Sequence, residues 1–314
     1  MNKKNFSISF GEIIELLLED DSPFPLQYLY AFSDISPEDL DQVKKIWPRI
    51  EVKKKLNLLL DLEQLTEEDT LVACDDLGKF ALDDDDPQVR GQAIRLLAEC
   101  DDPKLAVKFS FMLENDPSEF GKESAARALG KFIYLGELDE IPPSIVKPVM
   151  TLLLKVVRSE SRESIRLGAL ESLAYSGDKE VRQLIEESYH SDKRSWRKSA
   201  LLAMGRSADE RWEKYVLESL ADPNMEIQQE AIQASGELEL SHTKPILIDL
   251  VNQKDDPDIF LQAIWALSKI GGADVRELIN DLIEKSENDD ETDMLELALD
   301  NMDILDGHGF LPID

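Results

Sequence analysis

The sequence predicts an all-α chain built as an α-solenoid of stacked helical hairpins. Three observations carry that expectation: an alanine that recurs through most of the chain, apolar residues at fixed offsets around it, and turn chemistry between successive copies. The alanines are Ala93, Ala125, Ala169, Ala200, Ala231, Ala263 and Ala298, spaced by 32, 44, 31, 31, 32 and 35 residues. A fixed period of this size marks a repeat architecture. Four residues before each alanine stands Val89, Ile165, Trp196, Ile227, Ile259 or Met294, with Gly121 as the exception. One residue after it stands Ile94, Ala126, Leu170, Leu201, Ile232, Ile264 or Leu299. Four after it stands Leu97, Leu129, Leu173, Met204, Ser235, Leu267 or Met302. Offsets −4, 0, +1 and +4 share one face of a helix with 3.6 residues per turn, and the small central alanine lets neighbouring helices approach.

The boundaries of these helices are readable. Asp86-Pro87, Asp116-Pro117, Asp222-Pro223 and Asp256-Pro257 each offer an N-cap acceptor followed by a proline suited to the first turn. Gly130, Gly205, Gly236 and Gly271-Gly272 are the expected helix stops. A second apolar-periodic stretch lies between successive copies, as in Val181 to Tyr189, Tyr215 to Leu220, Ile246 to Val251 and Val275 to Ile283. Two helices per unit, each unit covering its neighbour, define an α-solenoid. The 44-residue interval holds about a dozen extra residues, assigned to an insertion at Gly136 to Pro143 and a longer helix from Ile145 to Val157.

Residues 1–82 do not fit the alanine register and are expected to form a helical N-terminal cap. Helices are expected at Phe10 to Leu18, Pro25 to Phe32, Pro37 to Trp47, Val52 to Leu62 and Leu71 to Leu82. Ser36-Pro37-Glu38-Asp39 is the clearest helix start among them. Residues 83–306 are read as about seven repeats, and residues 307–314 as a short tail. The opening residues Met1 to Ser7 lead into an amphipathic stretch broken by Glu12 and Glu15, unlike a signal-peptide core.

Composition limits the function classes. The 314 residues carry 66 acidic and 35 basic side chains, a net charge of −31, which argues against nucleic acid or an anionic membrane as partner. The charge is uneven: residues 151–220 hold 12 acids and 13 bases, while residues 221–314 hold 23 acids and 5 bases. The acidic C-terminal third is therefore a surface suited to a basic segment. Two cysteines, Cys74 and Cys100, are too few for a disulfide scaffold or a thiolate zinc site and point to a reducing, cytoplasmic setting. No apolar run approaches the roughly 18 residues of a membrane span.

The residues also resemble HEAT repeats, specifically the short HEAT-like type described in phycobilisome (bilin) lyases. The pattern of Asp-Pro, a hydrophobic-Arg pair and an Ala-Ala-x-Ala-Leu-Gly run appears as Asp86-Pro87-Gln88-Val89-Arg90 and as Ala125-Ala126-Arg127-Ala128-Leu129-Gly130. It recurs in Trp196-Arg197-Lys198-Ser199-Ala200-Leu201-Leu202-Ala203-Met204-Gly205. The resemblance spans residues 83 to about 302. Ser36-Pro37-Glu38-Asp39-Leu40 with Trp47-Pro48 is similar to the leader of uncharacterised bacterial HEAT-repeat proteins. Fold follows from such a resemblance far better than function does.

Chemistry is sparse. Deoxyhypusine hydroxylases of the HEAT family use repeated His-Glu pairs to hold iron, whereas here the histidines read His190-Ser191, His242-Thr243 and His308-Gly309, which excludes that activity. Asp83-Asp84-Asp85-Asp86 lacks the alternation and glycine of a calcium loop and is expected to be a solvated, helix-capping turn. Cys74 and Cys100 are expected to be small buried groups. No metal, cofactor or catalytic constellation is expected.

In the family the alanine helices line the concave face. The offsets that should face solvent place Phe120, Arg127, Lys131, Tyr175, Arg194, Lys198, Leu202, Arg206 and Trp265 there, with Arg95, Met225, Gln229, Gln233 and Lys269. Aromatic residues and arginines are the usual anchors of protein interfaces. Two roles for the cations stay open: partner contacts, or ion pairs with Glu119, Glu123, Glu163 or Glu171. The expected function is a non-enzymatic scaffold that binds a partner protein or peptide, with no nucleic acid or membrane partner. The alternative implied by the resemblance is a bilin lyase or isomerase-like protein that binds an open-chain tetrapyrrole, its propionates on Arg127 and Arg194.

Overall fold

The computed structural model describes residues 8–19, 24–159, 161–253 and 256–305. Among the described residues there are seventeen α-helices and no β-strand. The tail at 307–314 with His308, and the opening residues 1–7, lie outside them. The chain divides into two compact units between Leu173 and Ala174. The first holds α1 (Phe10–Leu18), α2 (Pro37–Ile46), α3 (Val52–Glu68), α4 (Asp75–Ala81), α5 (Pro87–Leu96), α6 (Pro103–Asn115), α7 (Glu119–Glu137), α8 (Pro143–Val157) and α9 (Glu163–Leu173). The second holds α10 (Lys179–Tyr189), α11 (Arg194–Arg206), α12 (Glu213–Ser219), α13 (Met225–Glu237), α14 (Lys244–Gln253), α15 (Pro257–Ile270), α16 (Ala273–Lys285) and α17 (Asp289–Leu305).

In each unit the hairpins stack into an α-solenoid. The helices that carry the aligned alanines form one row: α5 packs on α7 and α7 on α9 in the first unit, α11 on α13, α13 on α15 and α15 on α17 in the second. The intervening helices α6, α8, α10, α12, α14 and α16 each pack on the alanine helix that follows them. All seven alanines are buried, as are the apolar residues at +4. Only α17 departs from the register, burying Leu295 and leaving Met294 half-exposed. At the N-terminal side the row continues through α3, which packs on α5 without sharing the alanine pattern.

Three of the four expected glycine stops are not stops. Gly130, Gly205 and Gly236 lie inside α7, α11 and α13. All three stand five residues after the aligned alanine, and each faces the residue three after the alanine of the next helix in the row: Ser172, Ala234 and Ala266. A Cβ on Gly236 would lie 2.8 Å from the Ala266 Cα, and one on Gly130 3.1 Å from the Ser172 Cα. Backbone touches backbone at this seam, so these glycines serve close approach rather than termination. Ser172 adds hydrogen bonds from its Oγ to the carbonyls of Ala126 and Arg127, at 2.7 and 2.9 Å. Helices α7, α11 and α13 instead end on left-handed Asp139, Ala208 and Glu239 (φ 59°, 50° and 50°), and only Gly271-Gly272 terminates a helix as expected.

The Asp-Pro pairs also divide. Asp86 and Asp256 cap α5 and α15, accepting from Gln88 and Val89 and from Asp258 and Ile259. Asp116 and Asp222 lie ahead of the actual caps, Ser118 and Asn224. Their carboxylates receive the arginine three residues before the alanine of the preceding hairpin: Arg90 reaches Asp116 at 2.8 and 3.0 Å, and Arg197 reaches Asp222 at 2.8 Å. The hydrophobic-Arg pair of the repeat is thus a clamp on the next hairpin's turn.

The acidic run ahead of α5 is not uniformly solvated either. The Asp84 side chain is buried and accepts hydrogen bonds from Trp47 Nε1 at 2.6 Å, Lys55 Nζ at 2.8 Å and the Asp86 N–H at 2.8 Å. Three elements therefore converge on one carboxylate where the N-terminal helices meet the first alanine hairpin. The expected insertion is mostly helical, since α7 runs to Glu137 and α8 begins at Pro143.

Two outcomes follow for stability. Gly236→Ala is expected to cost about 1–3 kcal/mol, because its methyl group meets backbone, whereas Gly11→Ala on the exposed face of α1 gains about 0.5–1 kcal/mol; urea unfolding of both variants measures the contrast. The Asp84, Asp116 and Asp222 carboxyls are raised by burial, but hydrogen bonds from Lys55, Arg90, Arg197 and backbone N–H groups outweigh it and hold each below the usual carboxylate range. Their stabilisation is fully present above about pH 4 and lost as pH falls through their folded values. Acid unfolding followed by circular dichroism should therefore accelerate below about pH 4, and Asp116→Asn should weaken that dependence.

Candidate partner-binding surface

The solvent side of the alanine row is built mainly from offsets −6, −5, −2, +2 and +6. Offset −1, expected to face solvent, is buried at Gln92, Ser124, Gly168, Ser199 and Glu230, because it turns toward the preceding alanine helix, as Gly168 does toward Ala126 and Arg127. In the first unit Phe120 lays its ring on Gly91 of α5, where a Cβ would come within 2.3 Å of the ring, and is half-buried. Arg127 reaches Glu171 of α9 and, at 3.4 Å, Glu123 of its own helix. Lys131 reaches Glu99 at 3.2 Å and Asp101 at 3.1 Å, in the segment after α5. Arg95 makes the same kind of pair with Glu63 of α3, at 3.0 Å. Burial lowers the pKa of the Lys131 ammonium, but the hydrogen bonds it donates to Asp101 and Glu99 reverse this and hold it above its ordinary value.

In the second unit Arg194 faces Glu226 at 3.4 Å and Lys198 faces Glu230 at 4.0 Å, so two of the four cations of α11 meet acids of α13. Arg206 stacks over the Tyr175 ring, 5.6 Å from its centroid, and Leu202 is half-buried one turn below. Trp265 on α15 is 36% exposed; its ring edge covers Gly236 of α13, and Lys269 stands 5.7 Å from its centroid. Of the two roles open for the cations, ion pairing between neighbouring repeats describes Arg95, Arg127, Lys131, Arg194 and Lys198. Glu171 and Glu230, the buried acids that receive Arg127 and Lys198, were legible as acids at +2 and −1 of adjacent repeats.

Equivalent offsets on adjacent helices lie side by side. Lys198 at −2 of α11 reaches Glu230 at −1 of α13, and Gly168 at −1 of α9 lies against Ala126 and Arg127 of α7. The +5 residue meets the +3 residue, as Gly205 meets Ala234 and as Ser268 accepts from Asn301 Nδ2 at 3.0 Å between α15 and α17.

The remaining reactive groups are quiet. Burial, assisted by Asp75, pushes the Cys74 thiol up to about 12 and the Cys100 thiol up to about 11, so neither supplies a thiolate near neutral pH. His190 packs edge-on to Tyr189 and Tyr215, and His242 is exposed with Nδ1 2.6 Å from Glu213. Among the described residues no group of three or more His, Cys, Asp or Glu side chains is arranged to hold a metal ion. No described helix is long and apolar enough to cross a membrane.

With this geometry in place, comparison with known proteins gives one match to a family model. Residues 213–300 match HEAT repeats. The span runs from α12 into α17, and the stacks of both units are α-solenoids of HEAT-like hairpins. No curated protein sequence matches the chain. Among solved structures, the Escherichia coli YibA protein is 15% identical, with a TM-score of 0.44 over 80% of this chain and 97% of that one. Human deoxyhypusine hydroxylase is 18% identical, with a TM-score of 0.35 over 83% and 95%. Kap95p bound to RanGDP is 13% identical, with a TM-score of 0.44 over 94% of this chain and 45% of Kap95p. Likeness at this level extends to no reaction and no partner.

The clamp between α11 and the turn before α13 is open to test. Asp222→Ala should leave Arg197 without its carboxylate and cost roughly 1–3 kcal/mol, read from the urea midpoint; a loss equal to that of Asp178→Ala, a simple cap on α10, would show that only capping was removed.

Proposed function

We propose that this chain is a non-enzymatic interaction scaffold, which holds a partner protein or peptide along the solvent side of its alanine helices. The observation that carries the reading is the set of interface-type side chains left standing there. Trp265 stands exposed with Lys269 on its ring, and Arg206 lies over Tyr175. Large rigid aromatics and arginine give the most binding free energy per residue when covered. A row of rigid helices presents them without a folding cost on binding.

Among the residues singled out from the sequence, Tyr175, Arg206, Leu202 and Trp265 are the proposed contacts in the second unit. Phe120, Arg127, Lys131, Arg194 and Lys198 act first by joining neighbouring repeats, and touch a partner through whatever surface their ion pairs leave. The tetrapyrrole reading asks Arg127 and Arg194 to receive propionates, yet Arg127 is engaged by Glu171 and Glu123 and Arg194 by Glu226. The HEAT-like fold and the interface side chains both support the scaffold reading, and a cytoplasmic setting belongs to the same proposal.

The test compares the wild type with an Arg206→Glu, Trp265→Ala variant in affinity capture, followed by titration of the purified captured protein. The proposal expects a partner whose affinity falls at least tenfold in the variant while helix content is unchanged. Equal affinity would remove the assignment to this face, and the absence of any titratable partner would remove the scaffold reading.

A further inference from the structure

The alanine face of the second unit changes character along its length. Between α11 and α13 the −2 residue Lys198 pairs with Glu230. The −2 residue of α13 is Gln229, and that of α15 is Leu261. On α17, whose buried face has turned from Met294 to Leu295, Leu297 stands exposed. The hydrogen bond from Asn301 to Ser268 sets Leu297 level with Ile264, between Leu261 and Trp265 along α15. Leu261 is 43% and Leu297 68% exposed, and Trp265 stands one turn along α15 from Leu261 on the same side. Three large apolar side chains therefore form one exposed patch across two adjacent helices, where the earlier junction places charge.

The rim of that patch is acidic and uncompensated. At the first junction the acids of α13 face cations of α11. Around the patch stand Asp258, Asp293, Glu296 and Asp300, all exposed, and among the described residues none of the four forms an ion pair. Lys269, on the Trp265 ring, is the nearby cation on this side. Carboxylates left unpaired around exposed apolar groups favour a partner that brings both positive charge and apolar side chains.

We propose that the Leu261–Trp265–Leu297 patch is the docking site for a cationic amphipathic segment of a partner protein, its apolar side chains on the patch and its Lys or Arg side chains on Asp258, Asp293, Glu296 and Asp300. The inference names the partner chemistry of the scaffold surface above and rests on that reading. It also assigns a role to the charge of the C-terminal third, which ion pairing among repeats leaves unexplained.

The probe is a fluorescein-labelled amphipathic peptide of lysine and leucine, titrated by anisotropy into the full chain at moderate salt. Leu261→Ser with Leu297→Ser removes the apolar centre and leaves every charge in place. Both side chains are exposed, so the fold is expected to hold, as thermal unfolding verifies. The proposal expects this variant to bind at least tenfold more weakly, and Glu296→Gln with Asp300→Asn to bind several-fold more weakly with a shallower salt dependence. Quenching of Trp265 fluorescence, absent in Trp265→Phe, would place the peptide on the patch. Equal affinity of the wild type and the leucine variant would overturn it, because attraction to net negative charge alone survives that change. This assay needs no native partner. Loss of patch dependence with a captured partner still bound sinks this inference alone, and patch-dependent peptide binding with no captured partner sinks the scaffold reading alone.

Discussion

Within each unit the structure depends on a seam where successive alanine helices meet backbone to backbone. Gly130, Gly205 and Gly236 stand opposite Ser172, Ala234 and Ala266, and the distances leave no space for a larger side chain at the glycines. Close approach buries the alanine and the apolar residues around it, which is where dispersion and the hydrophobic effect act. The seam also fixes register. Once +5 lies against +3, +1 lies against −1, as Ala126 does against Gly168, and the heights of the surface residues follow. The clamps from Arg90 to Asp116 and from Arg197 to Asp222 sit at the turns, one hairpin along, and lock the same register from the other end of the helix.

That constraint explains how a chain of net charge −31 builds a stable stack. Its scarce cations stand where one acid of the same repeat and one of the next are within reach, as Arg127 does between Glu123 and Glu171. Exposed pairs of this kind each contribute little, but they remove like-charge repulsion at the junctions where helices must approach. Asp84 extends the principle to the N-terminal helices, because Trp47 and Lys55 converge on it. From α13 onward the supply of cations fails, and the acids of the C-terminal third remain for something outside the fold.

Much of this was legible in the sequence. The alanine period gave the row, its buried offsets and the solvent offsets other than −1, because 3.6 residues per turn leaves little freedom once a small residue recurs. The glycines misled, since glycine ends a helix and admits a neighbour equally well, and only the position of the next helix separates the two uses. The Asp-Pro pairs misled similarly: an aspartate before proline can cap a helix or receive an arginine from another hairpin, and the second use is non-local. Leu261 and Leu297 lay at offsets already read as solvent-facing, but their juxtaposition needed the register between α15 and α17. Asp84 was hidden in a run of four aspartates whose members look alike until Trp47 and Lys55 are brought to one of them.

Native-state amide hydrogen exchange tests the seam most directly, because protection reports which helices open last. The account predicts the slowest exchange in α7 and α9 of the first unit and in α11, α13 and α15 of the second, with the helices of the other row opening at lower free energy. Slower exchange in α6, α8, α12 and α14 than in their alanine-row partners would contradict it, and would place the stabilising contacts on the opposite side of the stack.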